Sequence, residues 1–238
     1  MTFFLMGLGL NLDSISIESK RILKECDEVF LEAYTIDFPY SFEELNNSLG
    51  LKFKILKREQ VEDESILRDS KTKNIALMIY GDPFSATTHH QLIISCKKQK
   101  IPFEIYHNAS VINSIAECGL SLYKFGKICS MPSWKENYKP TSFLNYIREN
   151  QSIRAHTLLL VDIGLEFSDA LNQLDSALKS EEMRVDQVLV CSSLGTKEKK
   201  IHFNSLDELK KIKEVRKPFC FIIPSDMHFV EEEFLSLI

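Results

Sequence analysis

Three short stretches place chemistry-bearing residues just beyond apolar, strand-like runs. Gly7-Leu8-Gly9-Leu10 follows TFFLM at 2–6. Two glycines let a backbone approach a small ligand closely. The third glycine of the dinucleotide fingerprint is missing and no GKS/T follows, so dinucleotide and nucleoside-triphosphate binding are weak readings. Gly81-Asp82-Pro83-Phe84-Ser85-Ala86-Thr87-Thr88-His89 follows NIALMIY at 74–80. The proline holds Asp82 in extended backbone. A carboxylate fixed there suits a ligand ammonium or hydroxyl, and Thr87 and Thr88 offer hydroxyls or a helix cap. His107-Asn108-Ala109-Ser110-Val111 follows PFEIYH at 102–107. It opens a helix whose first amides can receive polar ligand atoms, or Ser110 is only its N-cap. His228, after Pro224-Ser225-Asp226-Met227, is a fourth candidate, although an isolated histidine is more often a surface residue.

Other chemistries find little support. His89 and His90 are adjacent, so on a helix they point about 100° apart and make a poor metal pair. No metal site is expected. Neither G-x-S-x-G nor H-E-x-x-H occurs, so hydrolytic machinery is not indicated. The six cysteines, at 26, 96, 118, 129, 191 and 220, form no CxxC pair. They read as small buried thiols.

The elements that must carry these residues alternate between strand and helix. Strands are expected at 2–6, 28–33, 53–56, 74–80 and 102–107. Asp13 or Ser14 is the expected cap of a helix over 15–26. Ser41-Phe42-Glu43-Glu44 fits a capping box for a helix ending at Gly50. Another helix runs from the Gly81 loop to about residue 100. This β-α-β-α order argues for a largely parallel sheet with helical crossovers. Beyond residue 108 the pattern changes: helices at 110–118, 141–150 and 168–180, strands at 157–163, 185–191 and 218–223. The hairpin-like spacing at 185–203 points to a mixed sheet. Two α/β domains are therefore expected: 1–107 with a mostly parallel sheet and 108–238 with a mixed one.

The 238 residues are enough for a core without disulfides or a structural metal. Hydrophobic residues at 44% and charged ones at 26% exclude a disordered chain and a coiled coil. A formal charge of -5 argues against gripping nucleic acid across a face. The Lys-rich tract 197–200 reads as a solvated turn. MTFFLMGLGLN has no basic region ahead of its apolar run and reads as a buried first strand, with the cytoplasm the expected compartment. No run approaches the roughly 20 apolar residues of a membrane span.

Taken together, GLGL at 7–10, EAYT at 32–35, GDPFSATTH at 81–89, HNASVINSIAECGLSLYKFG at 107–126 and HTLLLVDI at 156–163 resemble the diphthine synthases, diphthamide-pathway methyltransferases of the tetrapyrrole-methylase class. The resemblance runs from residue 1 to about 163 and resumes at 218–235. It implies two α/β domains with S-adenosyl-L-methionine in the cleft between them, S-adenosyl-L-homocysteine as product, and a homodimer. The implied protein substrate is the modified histidine of translation elongation factor 2. Carried over by motif, the cofactor contacts fall on Leu10, Asp82, Ser85, Ser110, Val111, Val161, Leu194 and His228. No catalytic residue is assigned, and neither nucleic acid nor membrane is an expected partner. Two departures stand out: Gly164-Leu165-Glu166 follows Asp162-Ile163, and Ser193 stands where the family has an arginine. A sister methylase acting on a tetrapyrrole or RNA, a non-catalytic cofactor-binding paralogue and a nucleotide-binding oxidoreductase are the competing readings.

Overall fold

The N-terminal apolar run forms β1 (Phe3–Gly7) in the computed structural model, which describes residues 1–238. It lies in a five-stranded sheet with β2 (Glu28–Glu32), β3 (Lys54–Leu56), β4 (Ile75–Ile79) and β5 (Phe103–Tyr106), ordered β3-β2-β4-β1-β5. Every pairing is parallel. β4 is buried at every position, the pattern of a strand covered on both faces. Alternate side chains separate the two faces. Phe3, Leu5, Ile75 and Leu77 pack with Leu67, Leu92 and Cys96, whereas Met6, Leu31, Ala76 and Met78 pack with Leu23, Leu45 and Leu49.

Helices Ile17–Glu25 and Phe42–Leu49 therefore cover one face, and helices Ser65–Asp69 and His90–Gln99 the other. The Ser41–Glu44 capping box is present, and Gly50 ends its helix in left-handed backbone. The first helix starts later than its sequence implies. Its cap is Ser16, whose hydroxyl accepts from the Ser19 amide at 3.0 Å. Ser14 is committed elsewhere: its hydroxyl accepts from the Asn11 amide and its carbonyl from the Asn108 side chain.

This topology fixes where a ligand can enter. β1 connects to β2 over one face, and β4 connects to β5 over the other. β1 and β4 are neighbours, so the loops leaving their carboxyl ends part to opposite faces. Such a switch point is where open α/β sheets leave a crevice. The first compact unit is Met1–Ser114. It includes residues 108–114, beyond the boundary expected near Asn108, because Asn108 is bonded back to Gly7 and Ser14.

The second unit, Ile115–Ile238, holds β6 (Cys129–Met131), β7 (Thr157–Val161), β8 (Val188–Ser192), β9 (Lys200–Asn204) and β10 (Phe219–Ile223). Their order is β6-β7-β10-β8-β9. β6 and β7 are parallel, and the remaining pairs are antiparallel. The β8–β9 hairpin is the one that the 185–203 spacing implies; residues 197–199 lie exposed in its turn, and Lys200 opens β9. Helices Phe143–Ser152 and Phe167–Ser180 supply Phe143, Ile147, Leu171 and Leu174 to its core.

The helix expected over 110–118 is two short pieces, Val111–Ser114 and the 3₁₀ turn Ile115–Cys118. Asn113 reaches back to the Ser110 amide at 2.8 Å, the kind of side-chain bond that competes with a regular helix. All six cysteines are free, and all but Cys26 are buried. No helix is long and apolar enough to cross a membrane.

Candidate functional site

At the switch point, backbone meets backbone. The Leu8 amide donates to Ile79 O at 2.8 Å, and Gly9 and Gly81 exchange two bonds of 3.1 and 3.0 Å. A Cβ on Gly7 would stand 2.6 Å from Gly81 O, and one on Gly9 would stand 2.4 Å from the Ser14 Cβ. Gly9 also has φ +73°. Glycine at these positions is thus a steric requirement. Leu10 follows, buried, with its carbonyl accepting the Tyr80 hydroxyl at 3.0 Å.

Asp82 is the polar centre of this end of the sheet. Its Oδ1 accepts from the Phe84 amide at 2.9 Å and the Ser85 hydroxyl at 3.4 Å. Its Oδ2 accepts from the Asn108 amide at 3.2 Å and from His107 Nδ1 at 2.8 Å. Burial pushes its carboxyl up. The Phe84 amide, His107 and Asn108 outweigh this and hold it below the ordinary carboxylate range. The group is ionised and already well supplied with donors.

Ser110 is buried, and its hydroxyl accepts from the Ile112 amide at 3.3 Å. It caps the Val111–Ser114 helix, as the plain reading of its position implies. Gly81 brings it close to the switch point: a Cβ on Gly81 would touch the Ser110 Cβ at 3.6 Å. Leu10, Asp82, Ser85, Ser110 and Val111 thus sit on neighbouring loops at the carboxyl ends of β1, β4 and β5.

In the second unit the three carried-over residues do not share one strand end. Val161 closes β7, and Leu194 lies just beyond β8, parallel to β7 across β10. β10 runs the other way, so the segment to His228 leaves from the opposite end. There His228 is exposed and caps helix Phe229–Leu235. Ser193 is buried in left-handed backbone at φ 50°, with its amide on Pro218 O at 2.8 Å. No cluster of three or more His, Cys, Asp or Glu side chains is disposed to hold a metal ion.

Residues 2–210 match the family described as Tetrapyrrole (Corrin/Porphyrin) Methylases. The chain belongs to the tetrapyrrole methylase family. Among the methylases it is similar to the diphthine methyl ester synthase of Schizosaccharomyces pombe, 33% identical over 98% of this chain and 93% of that protein. The diphthine methyl ester synthase of Candida glabrata is 40% identical over 79% of this chain, a stretch spanning 64% of that relative's length. A solved structure described as diphthine synthase superposes with a TM-score of 0.89 at 27% identity, over 100% of this chain and 95% of that one. Membership places the chain among methyltransferases.

Several polar groups that fix the structure are not assigned a role by residue type alone. Glu32 is a charged residue closing an apolar strand, and it is buried. Asn108 locks two loops together. Glu231 lies three residues after His228, the capping-box spacing, and is buried as well. That spacing is the available sequence signal for Glu231, and an acid at the end of the apolar run Val29–Leu31 is the signal for Glu32.

Proposed function

We propose that this chain transfers methyl groups from S-adenosyl-L-methionine to the amino-carboxypropyl histidine of translation elongation factor 2, the diphthamide precursor. The observation that carries this reading is the match to a diphthine methyl ester synthase over nearly the whole chain. That name specifies an ester, so the acceptor carboxylate is a proposed target along with the amino nitrogen. A homodimer and a cytoplasmic location go with the same reading. The net charge of -5 supports a protein acceptor over nucleic acid.

Leu10, Asp82, Ser85, Ser110 and Val111, with Val161, Leu194 and His228, are the proposed donor contacts. The switch point fits such a ligand. Gly9 and Gly81 present bare backbone, Leu10 and Val111 are apolar, and the ionised Asp82 complements a cation. For His228 the support is the motif alone.

When bound, the donor supplies a methyl group already activated on a sulfonium. The chain then has to align the two reactants and exclude water. The acceptor amine must be unprotonated, and beside its carboxylate it is more basic than a chain-terminal α-amino group, which titrates near about 7.7–8.0, so its neutral fraction at pH 7 is small. Once that proton has left, the displacement itself asks no acid–base pair of the site.

The test is incubation with methyl-labelled S-adenosyl-L-methionine and elongation factor 2 carrying the unmethylated precursor. Label is expected on the factor, part of it released by mild base as an ester would be. Equal labelling of a factor whose modified histidine is replaced sinks the substrate assignment. Binding of S-adenosyl-L-homocysteine without transfer to any form of the factor marks a non-catalytic cofactor-binding protein.

A further inference from the structure

His89 closes the GDPFSATTH stretch with its ring 2% exposed. Its Nδ1 stands 3.2 Å from the Pro83 carbonyl, which also accepts the Thr87 hydroxyl. A carbonyl only accepts, so Nδ1 carries the proton. Nε2 then presents a bare lone pair. It has no hydrogen-bond partner and faces Glu32 Oε2 at 3.8 Å. Glu32 is itself an acceptor here: its oxygens take the Tyr34 and Thr35 amides and the Thr35 hydroxyl. Burial pushes the imidazole down from its ordinary value, against the pull of Glu32 and the Pro83 carbonyl. A neutral ring with one fixed tautomer follows.

The bond to Pro83 reaches further than its two atoms. Pro83 C=O and Phe84 N–H belong to one planar peptide unit. Its oxygen is held by His89 and Thr87, and its N–H by Asp82 Oδ1. Rotating that plane costs Asp82 a donor and moves the turn that carries Ser85.

We propose that His89 is a positioning residue for the methyl donor, its Nδ1–H orienting the Pro83–Phe84 peptide and so the Gly81–Ser85 turn. The proposal rests on the reading that the donor binds at that turn. His89 touches neither donor nor acceptor, and it acts through Pro83.

Two near-isosteric variants separate this role from general packing. In His89→Asn the side-chain amide nitrogen falls where Nδ1 was and keeps the bond to Pro83. In His89→Gln it falls where Nε2 was, facing Glu32, and Pro83 is left with Thr87 alone. Titration with S-adenosyl-L-homocysteine is expected to give a Kd within about threefold of wild type for His89→Asn and weakened about tenfold for His89→Gln, the scale of one lost hydrogen bond. The rate at saturating donor should change far less than KM, as for an interaction that serves binding. In the unsubstituted protein the ring ¹⁵N spectrum should show a protonated Nδ1 and a bare Nε2, a reading independent of how the variants fold. A protonated Nε2 overturns the proposal, and so do equal losses in the two variants, or no loss in either while wild type binds. Failure of the wild-type chain to bind S-adenosyl-L-homocysteine overturns the donor site itself, and is recognised because it needs no substitution.

Discussion

The side-chain amide of Asn108 donates to the Gly7 carbonyl at 3.1 Å and to the Ser14 carbonyl at 3.0 Å. One residue thereby joins the end of β1, the loop after it and the loop after β5. Asn108→Ala removes both bonds and strands two carbonyls in a half-buried place. A loss of about 1–3 kcal/mol is expected in urea unfolding. Asn108→Asp replaces the donors with a carboxylate facing two carbonyls and should cost more. An Asp variant as stable as wild type contradicts the bonding described.

The glycines offer an internal comparison. Gly9 and Gly50 both have left-handed backbone, at φ +73° and +65°, but a Cβ on Gly50 meets nothing within 4 Å. Gly50→Ala should cost only the conformational penalty, about 1–2 kcal/mol. Gly9→Ala adds the clash with Ser14 and forces the loop to move. It should be clearly more destabilising and should also weaken S-adenosyl-L-homocysteine binding. Equal unfolding midpoints for the two variants would show that crowding at the switch point is relieved at no cost.

Asp82 has two tasks in this geometry, and Asp82→Asn separates them poorly by design. An amide has one acceptor oxygen where the carboxylate serves four donors, so its NH₂ must face an N–H. The expected stability loss is about 1–3 kcal/mol, together with weaker donor binding from the lost charge. The informative comparison is His107→Ala. His107 is mostly exposed, with 66% of its side chain accessible, and an exposed polar contact of this kind contributes little. That variant should fall within about 1 kcal/mol of wild type, measured by thermal unfolding. A large loss there would place the anchoring of Asp82 in the His107 hydrogen bond and not in the backbone amides.

Much of this was legible in the residues. The apolar runs locate eight of the ten strands to within a few positions, because a buried strand needs a continuous or alternating apolar pattern, and the hairpin-like spacing at 185–203 only implies β9 (Lys200–Asn204). The run Cys129–Met131 is too short to announce itself. The Ser41 box and Gly50 marked both ends of one helix, since caps are local chemistry. Ser16, and neither Asp13 nor Ser14, is the cap: the Ser14 hydroxyl accepts from the Asn11 amide, and its carbonyl is held by Asn108, far along the chain. The same reason hid the site's wiring. Asp82, Ser85 and Ser110 were visible as polar residues beyond strands. The Glu32–His89 approach and the Asn108 bonds are contacts between segments that only the sheet order makes neighbours.

The last network lies in the second unit, and its pH dependence can be worked out. Glu231 accepts from the Ser121 amide at 2.7 Å, the His228 amide at 2.7 Å and Lys124 Nζ at 2.6 Å. It also faces His156 Nε2 at 3.5 Å, while His156 Nδ1 accepts from the Ser225 amide at 2.9 Å. Burial pushes the Glu231 carboxyl up, but Lys124 and the His228 and Ser121 amides hold it down at about 2, against an ordinary 4.5. A carboxyl lowered on folding contributes its full stabilisation above pH 4.5 and loses it as pH falls toward 2. The difference corresponds to about 3 kcal/mol. Burial also lowers the His156 imidazole from its ordinary 6.5. The unfolded chain therefore takes up that proton first, and stability begins to fall below pH 6.5. Glu231→Gln should lose about 3 kcal/mol at pH 7, with the helix Phe229–Leu235 loosened first. Between pH 4.5 and 2 the variant's stability should decline less steeply than wild type, by up to one proton's worth of slope. Urea unfolding midpoints across that range supply the check. Parallel pH profiles for the two proteins would mean that Glu231 is not the group whose protonation releases this end of the sheet.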